Sequence, residues 1–185
     1  MLSNVPRELL AFLLNLIVVV MVVVIVGGAA MAIIKSIKNH SAEQRNIIIL
    51  TLISLFIAAL SWVLNIGWLR VIMTFMLVPF IHAIVFFVVN FSAAKFVSQS
   101  PKIKKLNLFF IITYLLLYIF LPDGGDVGGL YLFFGLIHND ILAYVGEFVS
   151  SVAFVAHVVF LIMQVIEMGK TEIGNNKKNN SEADL

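Results

Sequence analysis

The chain has 185 residues, of which 62% are hydrophobic and 12% charged, with a net charge of +2 and a mean hydropathy of +1.08. Soluble domains carry about 25% charged residues, so this composition excludes an ordinary water-soluble domain, and the basic residues, few and set beside apolar spans, read as topology signals rather than a nucleic-acid-binding patch. Cysteine is absent, which excludes disulfides, thiolate catalysis, cysteine-ligated metals and lipidation on cysteine.

Between the charges lie apolar stretches of about 20 residues, the length a helix needs to cross a ~30 Å hydrocarbon core. The expected fold is all-α: a polytopic integral membrane protein, a bundle of about five transmembrane helices forming one domain over residues 1–168. The spans are drawn at about 9–34, 46–64, 71–94, 106–121 and 141–166. The first contains "AMA" (30–32), a small-x-small string like a signal-peptidase site. Its apolar region is far longer than a signal peptide's, and its basic cluster follows rather than precedes it, so a retained helix is expected.

"WVLNIGWLR" (62–70) joins the second and third spans with almost no loop, and Gly67 can take the left-handed conformation that ends a helix. Trp62 and Trp68 suit an interfacial aromatic belt. The fourth span is short. Pro122 and the glycine-rich "PDGGDVGG" (122–129) end it. "LYLFFGLI" (130–137) is too short to cross and is expected to lie in or dip into the outer interface. Asn139 or Asp140 can cap the fifth span. Residues 169–185 have little to bury and read as a disordered tail.

Ten of the twelve Lys and Arg residues fall in three segments: Lys35, Lys38 and Arg45; Lys95, Lys102, Lys104 and Lys105; Lys170, Lys177 and Lys178. Under the positive-inside rule five crossings then place the N-terminus outside and the C-terminus in the cytoplasm of a cell membrane, plasma or bacterial inner. Arg7 and Arg70 fall outside.

Polar residues inside the spans mark faces turned to protein or water rather than lipid. In the second span Thr51, Ser54, Ala58, Ser61 and Asn65 lie within about 80° of one another. In the fourth, Asn107, Tyr114 and Tyr118 share a face. In the fifth, Glu147, Ser150, Ser151, His157 and Gln164 fit an arc of about 140°. Glu147 lies about 9 Å into its span, a level shared by Asn15, Ser61, Tyr114 and Tyr118. These five form a candidate intramembrane polar site. His82 and His157 lie nearer mid-membrane and are candidate proton-linked groups. Arg70, Asp123, Asp126 and Asp140, with His138, gather at the outer surface as candidate mouth charges, with an Arg70–acid pair as the plainer reading.

No catalytic residue, metal site or cofactor is expected: the chain has no nucleophile elbow, Walker loop, dinucleotide fingerprint or closely spaced histidine ligands. The function favoured by small size and tight loops is a non-enzymatic accessory or immunity-type membrane protein that binds a membrane-protein partner or its own copies. The alternative is a small proton- or cation-coupled transporter or channel using Glu147. A membrane-embedded lipid enzyme has least support. The bilayer is the one partner that composition itself implies.

Overall fold

Helix α1, Ala42–Leu64, starts at a capping box: Ser41 Oγ accepts the Gln44 N–H, and the Gln44 side chain accepts the Ser41 N–H. The computed structural model describes residues 40–65, 67–124, 130–134 and 136–183, which lie in one unit, His40–Leu185. The expected span 9–34 with Asn15, and Asp126 in the outer loop, lie outside the described residues.

The face of α1 that is buried is its polar and small one: Thr51, Ser54, Ala58 and Ser61 are all buried. Thr51 and Ser54 donate to carbonyls four residues back, so their hydroxyls are satisfied within the helix. Small side chains here admit the neighbouring backbones closely, while Ile49, Leu50, Ile53 and Phe56 stay exposed.

The third expected span, 71–94, is broken. It consists of α2, Trp68–Phe75, and α3, Val78–Ala94, bent by 70°. Pro79 has no N–H and its ring would clash with the Phe75 carbonyl, so an α-helix cannot run through this point. Leu77 makes the break in the left-handed region, at φ 58°. Gly67 is not left-handed as expected but extended (φ −137°), where it caps the start of α2.

Helix α4, Pro101–Phe120, borrows residues from the flank of the expected 106–121. Ser100 caps it, accepting the Ile103 N–H, and Pro101 occupies the first turn. After it come three very short strands in an antiparallel sheet: β1 (Asp123–Gly124), β2 (Leu130–Leu132) and β3 (Ile137–His138). The segment expected to lie at the interface therefore supplies the middle strand, β2, and the first residue of β3, and its Leu132 is buried.

Helix α5, Asp140–Ala183, is 44 residues long. Asn139 opens it, its side chain accepting the Leu142 N–H at 3.1 Å. The tail read as disordered from 169 onward continues this helix as far as Ala183. Glu167, just before it, pairs with Lys102, and within it Asn175 donates to Gln99 at 2.8 Å. Those are contacts to residues distant in sequence, which a local composition argument misses.

Helix α5 runs antiparallel to α4: Phe120, Thr113, Phe109 and Lys102 meet Gly146, His157, Phe160 and Glu167 in turn. Its packed seam is Ala143, Gly146, Ser150, Ala153, His157 and Gln164, all buried, at the three-and-four spacing that keeps one stripe against a partner helix.

Three helices, α1, α4 and α5, are long and apolar enough to cross a membrane, and α2 with α3 makes a fourth candidate as one broken span. The chain is thus helical with three to four candidate membrane spans among the described residues.

Gly146 sets how closely α5 approaches. A Cβ there would lie 2.8 Å from the Phe120 carbonyl oxygen and 2.6 Å from Leu132 Cδ2. The leucine tip can turn away, but the carbonyl belongs to a helix end and cannot. Gly146→Ala is expected to cost about 1–3 kcal/mol, read as a fall in the midpoint of thermal unfolding in detergent. An unchanged midpoint would mean α5 has room to shift.

Candidate functional site

At one end of the bundle, helix ends converge on two charges. Asp123 accepts the N–H groups of Gly67 (3.0 Å), Leu69 (3.3 Å) and Arg70 (2.9 Å), so a distant carboxylate caps the positive end of α2. Arg70, fully buried, does the converse at two helix C-termini. Its guanidinium donates to the Ser61 carbonyl at the end of α1, and to the Leu121 (2.7 Å) and Tyr118 (3.5 Å) carbonyls at the end of α4. Its Nε stands 3.9 Å from Asp123, and Trp62 covers it at 5.3 Å. Trp62 donates to Thr74, which bonds back to the Arg70 carbonyl. Arg70 and Asp123 are thus structural partners rather than hydrated mouth charges, and Asp140 lies exposed at the start of α5.

One turn deeper is the polar core. The Ser61 hydroxyl donates to the Tyr118 carbonyl at 2.6 Å. Tyr118 Oη lies 3.0 Å from His82 Nδ1; His82 Nε2 lies 3.0 Å from His157 Nε2; His157 Nδ1 lies 3.2 Å from Thr113 Oγ1. His157 is buried and His82 half-buried. Aromatic rings enclose the pair: Phe110 stacks on His157 at 4.2 Å, and Tyr114 lies 5.1 Å from His82 and stacks on Phe86 at 3.7 Å. Of the residues read from sequence as companions of Glu147, Tyr114 and Tyr118 are gathered instead around the imidazoles, and Ser61 is bonded to the Tyr118 carbonyl.

Glu147 is not among them. It is exposed, about 80° around the helix from His157. The 140° arc read from sequence is wider than the stripe that packs. Ser150, His157 and Gln164 fall inside that stripe, and Glu147 and Ser151 fall outside it.

A second polar layer lies on the lysine side of the imidazoles. Asn107 donates to Asn90, and Asn90 donates to the Phe86 carbonyl at 2.7 Å. Gln164, fully buried, makes no hydrogen bond through its amide among the described residues.

The histidine link carries definite chemistry. Nitrogens 3.0 Å apart hold one hydrogen between them, donated by one ring and accepted by the other. Thr113 directs its own hydroxyl to the Phe109 carbonyl at 2.9 Å, so it accepts from His157 Nδ1–H. His157 Nε2 then accepts from His82 Nε2–H, and His82 Nδ1 accepts from Tyr118. Every donor points the same way. Reversing all of them gives a second complete arrangement, with the Thr113 hydroxyl turned to His157. The chain also holds one extra proton without breaking a bond, because His82 carrying both hydrogens still donates to His157. It cannot hold two, since both rings would then offer N–H to the same link.

No protein-family model, curated protein or solved structure matches this chain.

Two measurements test this site. The neutral imidazoles of His82 and His157 are expected to be opposite tautomers, one Nε2–H and one Nδ1–H. Nitrogen-15 NMR of histidine-labelled protein in lipid reads this directly, and two like tautomers would contradict the link. At the helix ends, Asp123→Ala leaves the Arg70 guanidinium buried without its carboxylate. A loss of about 3–5 kcal/mol is expected, measured by chemical unfolding in micelles.

Proposed function

We propose that this protein is a small multi-pass membrane protein that takes up and passes a proton through His82 and His157, a proton-coupled transporter or channel. The observation that carries the reading is the 3.0 Å link between the two Nε2 atoms, with Tyr118 and Thr113 on the outer nitrogens. A proton arriving at the Tyr118 oxygen displaces the Tyr118 hydrogen onto His82 Nδ1. The His82 Nε2 hydrogen passes to His157 Nε2, the His157 Nδ1 hydrogen passes to Thr113 Oγ1, and the hydrogen that Thr113 already carried leaves to a water molecule. One proton enters, one leaves, and the chain ends in its reversed arrangement. Ring and hydroxyl rotation resets it. Ionisable groups on the interior of a membrane bundle mark such paths, whereas a purely packing histidine needs no second imidazole facing it. The site moves from Glu147, the carrier suggested by sequence, because Glu147 faces away from these groups.

The topology that accompanies this reading has five crossings: segment 9–34, α1, the bent α2–α3 pair, α4 and α5. The lysine-bearing ends, where Lys102 meets Glu167 and Lys104 meets Glu43, lie in the cytoplasm with the C-terminus, and the Arg70–Asp123 end lies outside with the N-terminus. The membrane is a plasma membrane or a bacterial inner membrane.

Purified protein in liposomes with a trapped pH-sensitive dye, driven by a valinomycin potential, tests the reading. Proton flux above empty liposomes is expected. His157→Gln should lower it about a hundredfold, the contribution of a positioned proton-transfer group. Tyr118→Phe keeps the ring packing and should also lower it, while Val155→Ala, on the exposed face, should not. Wild-type flux equal to that of empty liposomes sinks the proposal.

A further inference from the structure

Between residues 141 and 166, three exposed side chains of α5 carry a polar group: Tyr144, Glu147 and Ser151. They are three and four residues apart, on one line along the helix. Phe154 and Val158 continue that line, exposed and apolar. The rest of the exposed face is Ile, Leu, Val, Phe and Met, as lipid requires. Helix α5 therefore has two different seams. One is packed within the bundle through His157. The other, about 100° around the helix, is polar in the outer half of the span and exposed among the described residues.

A carboxylate there has no partner chemistry in lipid. Among the described residues, the basic side chain at this end of the bundle is Arg70, which is fully buried and bonded to two helix ends. Lys102 and Lys104 pair at the opposite end. A second copy lying parallel would bring, from its described residues, a carboxylate and no accessible cation to the same depth.

We propose that the Tyr144–Glu147–Ser151 seam docks a transmembrane helix of a partner protein that carries one Lys or Arg at the level of Glu147. The cation pairs with the carboxylate, and the two hydroxyls supply the flanking hydrogen bonds in a setting without water. This interaction surface is separate from the histidine site and does not depend on its role.

The test uses the full chain in phosphatidylcholine vesicles with synthetic polyleucine transmembrane helices. One peptide has a single Lys seven residues from its end; the others have Leu or Glu there. Association is read by energy transfer between labelled chain and labelled peptide. The Lys helix is expected to bind about tenfold more tightly than the Leu helix, and the Glu helix no better than the Leu helix. Glu147→Gln should abolish the preference. It is an exposed position, so folding is preserved, which circular dichroism checks. Equal binding of all three peptides overturns the proposal. So does energy transfer between two labelled copies of the chain that is lost in Glu147→Gln, which assigns the seam to a second copy. A photocrosslink from position 147 back into its own chain overturns it as well.

Discussion

Arg70 and Asp123 solve a problem that a bilayer makes severe. The C-terminal carbonyls of α1 and α4 and the N-terminal amides of α2 meet at one place, where no water reaches a fully buried side chain. The carboxylate answers the amides and the guanidinium answers the carbonyls. Each charge sits at the helix pole of opposite sign, and each is also the other's counter-ion. Replacing either by an apolar residue leaves both a charge and a set of backbone groups unmet.

The same contact positions the polar core. The Tyr118 carbonyl receives both Ser61 and Arg70, so the end of α4 is held from two sides. The Tyr118 ring, on that tethered turn, meets His82 through its hydroxyl. His82 is there because Pro79 forces a break and α3 starts anew at a 70° angle, four residues before it. Close approach at Gly146 then sets α5 against α4 so that His157 arrives level with Thr113. A run of ordinary local constraints therefore converges on a single 3.0 Å contact between two imidazoles.

Helix α5 separates two roles that its sequence interleaves. Each seam needs the same three-and-four spacing, and they differ by a rotation of about 100°. Small residues on one seam, Ala143, Gly146, Ser150 and Ala153, admit a neighbour closely. Bulky residues flank the glutamate on the other, where Tyr144 and Phe154 stay exposed. The histidine belongs with the small residues and the glutamate with the bulky ones.

Much of this was legible in the chain itself. Composition and the length of the apolar runs imply membrane helices, because a bilayer of known thickness leaves few alternatives. The polar stripe of α1 was readable as its buried face because helical periodicity converts spacing into direction. The break at Pro79 is written there too, in the missing N–H, though the apolar run over 71–94 continues through it without interruption. Three things were not readable: the capping of α2 by Asp123, the meeting of His82 with His157, and the exposure of Glu147. Each depends on which helix lies beside which and at what rotation. Periodicity places a residue on its own helix to within about 40°, but carries no information on the azimuth of the neighbour. Sequence determined that polar groups in these spans must find partners; tertiary packing alone decided which partners, because hydrogen bonds need atoms within about 3 Å and only the assembled bundle defines that distance.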